Sequence, residues 1–241
     1  MTNISNTRLS DTAVKLLDMY ELFPFQHHPL WKAIINKELS KEEVLRAEGQ
    51  HYLRTKAGQP LRKLNMERSA AVSSILYDAI IETYKEECTD EDGSPTHLDL
   101  IARMLLENGY STEYLSKLQN TPGNIAAISM YEYISNRGVG CHIIGAGIVE
   151  HFYSQLSPTI YKSYTENYNF SESSVETYKL HGPMDAIHAS RAMEAIDEAV
   201  NIHGLNAIED SVREAFVATS LHYDGMLQAA TGVNNYWNGK K

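Results

Sequence analysis

The chain has 241 residues, 43% of them hydrophobic and 22% charged, with a formal net charge of -10. That composition supplies a core and argues against nucleic acid as the main partner, because phosphate binding needs clustered Lys and Arg. No run approaches the roughly 18 apolar residues of a membrane helix, and the polar start MTNISNTRLSD does not read as a signal peptide. With only Cys88 and Cys141 there is no disulfide framework, so the expectation is a soluble, cytoplasmic protein without a membrane or nucleic-acid partner.

Nearly every segment carries helical periodicity. Ser10 can cap a first helix with Ala13, Leu16, Leu17 and Tyr20 on its apolar stripe, and Pro24 and Pro29 in FPFQHHP break it. Ser40 and Glu43 form a capping-box pattern opening a long helix through Val44, Leu45, Tyr52 and Leu53, which Pro60 is expected to kink or restart. Residues 67–87 read as another helix, with Val72, Ile75, Leu76, Ala79 and Ile80 buried. The acidic run from Glu86 to Pro95 reads as a loop, and Thr96 to Asp99 starts the next helix.

Pro122 opens a helix through Ile125, Ile128 and Tyr131. Gly138, Gly140, Gly145 and Gly147 punctuate the next apolar segment and point to close helix contacts or bends, with Pro158 as its expected end. Ser173 and Glu176 form a second capping-box pattern, launching a helix that Gly204 ends, and Ala207 to Ala230 forms the last one. No alternating strand, hairpin turn, repeat or linker interrupts this order, so one all-α domain over 1–241 is expected.

The chemistry concentrates in His181-Gly-Pro-Met-Asp185-Ala-Ile-His188. At 3.6 residues per turn, positions 181, 185 and 188 share a helix face, presenting two imidazoles and a carboxylate within about two turns. Such donors suit Fe(II), Mn(II) or Zn(II) better than Mg or Ca. Partners from other helices are needed, and the candidates are Glu48 with His51, Glu86 or Glu87 with His97, and Glu150. Glu48 and His51 lie one turn apart, a spacing that by itself reads as a solvated helix face. Glu150 sits inside a largely apolar run, where a carboxylate is normally paired or metal-bound.

Four stretches in this order resemble the haem-oxygenase-like di-metal oxidases, relatives of pyrroloquinoline quinone synthase and TenA-type proteins. They are HHPLWKAIINKELSKEEVLRAEGQHYL, ETYKEECTDEDGSPTHLDL, GIVEHFYSQLSP and HGPMDAIH, the last fitting the family's His-x3-Asp-x2-His pattern. The resemblance covers roughly residues 25–200. It implies a helical bundle of about seven to nine helices and six metal ligands: Glu87, His97, Glu150, His181, Asp185 and His188. It also implies two Fe(II) per chain, with Mn as the alternative, and O₂ as co-substrate. Glu150, His181, Asp185 and His188 would be central to catalysis, and the activity would be oxidation of a small metabolite, such as an amino acid or amine, in a biosynthetic pathway. Many such folds pair as homodimers.

The chain departs from the pattern in three places. The loop between Glu87 and His97 is long, leaving Glu86 or Glu82 as alternatives to Glu87; Pro183 removes a helix bond to Lys179; and Glu150 lies eight residues before Pro158. Glu48 and His51 fall too early to be the usual ligands and are expected to line a channel or support the ligands from outside. Competing readings are a TenA-like hydrolase with Cys141 as nucleophile, a cofactorless oxidase like pyrroloquinoline quinone synthase, and a non-catalytic helical binding protein. His142, next to Cys141, would point about 100° away from it, which weakens that pair as nucleophile and base.

Overall fold

The structure, a computed structural model, describes residues 10–90 and 93–240. The polar stretch 1–9 and Glu91-Asp92 of the acidic run lie outside the described residues. The elements are α1 (Asp11–Asp18), two 3₁₀ turns (Met19–Leu22, Phe25–His27), α2 (Pro29–Ile35), α3 (Lys41–Val72), α4 (Ser74–Cys88) and α5 (His97–Glu107). They continue with α6 (Thr112–Lys117), α7 (Pro122–Arg137), α8 (Val139–Asn167), α9 (Glu176–Glu194), α10 (Ile196–His203) and α11 (Leu205–Thr231). There is no strand among the described residues. The described residues form eleven helices, of which α2 and α6 are short and four come from two expected elements that are interrupted, so the all-α bundle is as expected.

The helix starts follow local chemistry. Ser10 accepts from the Ala13 N–H, Ser40 and Glu43 complete a capping box, and so do Thr96 and Asp99. Ser173 does not cap as expected: α9 begins at Glu176, whose carboxylate is instead 2.6 Å from Arg103 on α5. The helix expected over 67–87 is divided at Ser73, whose extended backbone separates α3 from α4 and whose hydroxyl donates to Glu198 at 2.6 Å. The break leaves Val72 and Ile75 exposed while Leu76 and Ile80 remain buried. Ala195 likewise separates α9 from α10, and Gly204, at φ 82°, ends α10.

Neither Pro60 nor Pro158 ends its helix. Each forfeits one backbone bond, but packing retains the helix. Pro158 lies against Gly182 of α9, where an added Cβ would stand 3.3 Å from the Pro158 ring, and neighbouring Ser157 donates to the Tyr178 carbonyl at 2.7 Å. The expected close glycine contact is clearest at Gly147, where an added Cβ would overlap Ala192, so α8 and α9 meet almost backbone to backbone. Helix α11 packs on α7, α3 and α8, and Tyr20 stacks on Phe152 within an aromatic group that includes Phe25 and Phe216. These contacts leave α3, α4, α8 and α9 around a polar interior.

Candidate metal centre

Glu87 stands on the last turn of α4, and the connection from α4 to α5 brings His97, the first residue of α5, back to it. The capping box at Thr96 fixes that helix start, and His97 Nδ1 lies 2.7 Å from Glu87 Oε2. Helix α9 continues through Pro183, burying His181, Asp185 and His188 on one side as their spacing predicts. The His181 ring meets His97 edge-on, with centroids 4.3 Å apart.

Two overlapping groups result. One ligand-type atom from each of Glu87, His97 and His181 lies within 4.8 Å of the others, and the same holds for Glu87, Asp185 and His188. Glu87 belongs to both. Glu150 stands beside them, with Oε2 3.7 Å from His188 Nδ1, while its other oxygen accepts from Arg62 Nη2 at 3.1 Å. Arg62 also lies 3.8 Å from Glu87. Of the alternatives to Glu87, Glu82 pairs with Lys85 at the surface. Glu86 is turned to His188, whose Nε2 it approaches at 2.9 Å, and Arg191 holds it at 2.7 and 3.2 Å.

Three buried imidazole nitrogens have no hydrogen-bond partner: His97 Nε2, His181 Nδ1 and His188 Nδ1. Buried polar atoms are seldom left so. The same three imidazoles belong to the two groups that share Glu87, and such a donor set suits a divalent transition metal, so these residues fit iron or manganese. The carboxylates do not balance one another. Burial would raise Glu87, but His97 and Arg62 beside it hold it well below the ordinary value. Burial, then the charges of Glu150 and Glu87, push Asp185 well above its ordinary value. Burial and neighbouring His97 hold His181 well below the usual imidazole range, which leaves it neutral, as a ligand must be.

Glu48 and His51 are buried rather than solvated. Glu48 accepts from Tyr164 at 2.5 Å and from Tyr178 at 2.7 Å, and His51 Nδ1 approaches it at 3.1 Å. The His51 ring stands 5.5 Å from His97 and 5.9 Å from His222, placing this layer behind the centre. Sequence reasoning missed Arg62 and the two tyrosines, and it took Glu86 only as a substitute ligand. Cys141 is packed against α11, its thiol 3.8 Å from the Ala207 carbonyl, and burial raises its pKa. Cys88 lines a cavity near Arg62, but burial pushes it up to about 11. Neither is presented as a thiolate nucleophile.

An all-α bundle with a buried His/carboxylate centre defines the class, and solved structures agree on its fold. A TenA homolog from Pseudomonas syringae superposes with a TM-score of 0.72 at 14% identity, over 91% of this chain and 94% of its own. A cadd-like protein of unknown function from Nostoc punctiforme gives 0.72 at 11% identity, over 93% and 97%. A domain from Shewanella denitrificans described as having a heme oxygenase-like fold gives 0.64 at 14% identity, over 94% and 95%. The fold is thus haem-oxygenase-like. No curated protein matches the sequence. Residues 69–224, well over half the chain, match the model of a family described as iron-containing redox enzymes, and the chain belongs to that family. That span contains all six expected ligands and excludes Glu48 and His51.

No helix among the described residues is long and apolar enough to cross a membrane.

Proposed function

We propose that this chain is a non-haem di-iron enzyme that uses O₂ to oxidise a small metabolite. The observation that carries the reading is the pair of His/carboxylate groups that share Glu87, whose three imidazoles each keep a buried nitrogen without a hydrogen-bond partner. Glu87, His97, Glu150, His181, Asp185 and His188 would hold two Fe(II), with Glu87 belonging to both groups; Mn(II) shares these donors. When bound, the metal supplies the electrons and Lewis acidity that O₂ reduction requires.

The chain's own residues prepare that site. Glu86 fixes His188 by its Nε2, leaving Nδ1 for the centre. Arg62 pairs with Glu150, and a cation bound beside Asp185 would offset the crowding that raises its pKa. Behind His97, Tyr164, Tyr178 and His51 hold the Glu48 carboxylate in place and brace this wall. An amino acid or amine is the favoured substrate class, with N-oxygenation, desaturation or C–C cleavage as the outcome.

Anaerobic loading with Fe(II), followed by metal analysis, tests the reading. Up to two irons per chain are expected. Loading to about 100 times the dissociation constant should stabilise the fold by about 2.7 kcal/mol, or very roughly 5–10 °C at this size. Admission of O₂ should then change the optical spectrum. Protein that is folded by circular dichroism yet retains no iron would sink the proposal, and one iron per chain would replace it with a mononuclear centre.

A further inference from the structure

Several cavities border the candidate centre, and two of them share a wall. One, of about 90 Å³, lies among α3, α7 and α8; the other, of about 60 Å³, adjoins α9 and α11. Arg54, Arg62, Glu87 and His97 line both. The two guanidiniums on that shared wall are in opposite states. Arg62 is paired with Glu150 and Glu87. Arg54 forms no ion pair with any described residue, and its neighbour is the ring of Tyr131, whose centroid is 5.0 Å from the guanidinium carbon.

Arginine does not shed its charge, and a shielded cation without a counter-ion is costly. Tyr131 offsets part of that cost and holds the guanidinium over its ring. No described carboxylate stands at ion-pair distance from it, and its wall faces open volume.

We propose that Arg54 anchors the carboxylate of a small monocarboxylic acid substrate, whose body lies across Glu87 and His97. A planar guanidinium fork matches a carboxylate in two parallel hydrogen bonds. One unpaired cation balances one negative charge. A dianion such as phosphate would carry its second charge toward Glu87, Glu150 and Asp185 and be repelled. Leu61, Ile128 and Ala146, on the walls of the larger cavity, offer apolar surface to a hydrocarbon or aromatic portion. The inference rests on the oxidase reading for the fate of the acid, although the binding step is a property of the metal-free chain.

Calorimetric titration of metal-free protein with benzoate and hexanoate, against benzamide and hexanamide, tests it. The acids should bind at least about 10-fold more tightly than their amides. Arg54→Gln should lose about 10- to 100-fold of benzoate affinity, the worth of a charge-assisted bond, with Arg54→Lys between them. Fe(II) content should be the same in parent and Arg54→Gln. The anchor is overturned if acid and amide bind parent protein alike, or if no acid binds up to about 10 mM. It is equally overturned if folded Arg54→Gln binds benzoate as parent does, or if inorganic phosphate binds more tightly than benzoate. Arg54-dependent acid binding in a protein that holds no iron keeps the anchor and removes the oxidase reading. Iron binding without such acid binding does the reverse.

Discussion

Replacing Glu86 separates a ligand from the group that orients one. Glu86 Oε2 lies 2.9 Å from His188 Nε2, and Arg191 grips the same carboxylate at 2.7 and 3.2 Å. The Glu86 side chain is 31% exposed and that of Arg191 26% exposed. A pair so placed contributes about 0–1 kcal/mol, so Glu86→Ala should lower the thermal midpoint of metal-free protein by no more than about 2–4 °C. Its effect on metal should be larger. Without Glu86, the His188 ring is free to change tautomer and direction, and loss of such an outer partner typically costs 10–100-fold in metal affinity. That range corresponds to about 1.4–2.7 kcal/mol of binding. Glu86→Gln, which keeps an acceptor, should fall between Ala and parent, while His188→Ala should be worse than either. Competition between the protein and a calibrated Fe(II) chelator under anaerobic conditions measures all four. Parent-like affinity in Glu86→Ala, with affinity lost in His188→Ala, would show that Glu86 orients nothing. Equal loss in both would make Glu86 a ligand, and the centre would have to be redrawn.

Two further outcomes test the chemistry and the electrostatics of the interior. Cys141→Ala should keep metal content and O₂ consumption, because its thiol packs against α11, whereas Glu150→Ala should abolish O₂ consumption; loss of turnover in Cys141→Ala with metal intact would favour the TenA-like hydrolase. Burial lowers His28, His51, His142, His181 and His222 from 6.5 in the folded chain, His142 to about 3. Below 6.5 the unfolded chain therefore binds more protons at these sites, and stability falls with pH by up to about 1.4 kcal/mol per unit for each histidine. Asp185, raised in the folded state, acts in the opposite sense as one group against five. The thermal midpoint of metal-free protein should drop steadily from pH 6.5 to 5, and a flat or rising midpoint would refute this account of the interior.

What was legible in the sequence is what local spacing controls. Three, four and seven residues between His181, Asp185 and His188 put them on one face whatever the rest of the chain does, and the caps at Ser10, Ser40 and Thr96 act within one turn. The boundaries that failed depend on contacts remote in sequence. Ser73 divides α3 from α4 while bonded to Glu198, and Pro158 stays helical because Gly182 lies against it. Arg62 was invisible for the same reason. Nothing in GQPLRKLN distinguishes it from Lys63, which pairs with Glu67 at the surface, until α8 brings Glu150 to it from 88 residues away. Glu86 and Glu87 are adjacent acids on one helix end, and only the positions of α5 and α9 decide that Glu87 meets His97 and Glu86 meets His188.

The interior also carries its own answer to part of the charge it gathers. Glu87, Glu150 and Asp185 would repel one another if all three were ionised and unanswered. The chain answers two of them with its own charge: Arg62 reaches Glu150 and Glu87, while the crowding raises the pKa of Asp185. A small zinc domain with an unanswered ligand set unfolds without its ion. Here the long helices α3, α8 and α11 supply a core of their own, and Arg62 offsets part of the charge of the polar centre. This is why the decisive measurements can be made on folded, metal-free protein, and why Arg54, which no carboxylate answers, stands out as the charge left for a ligand.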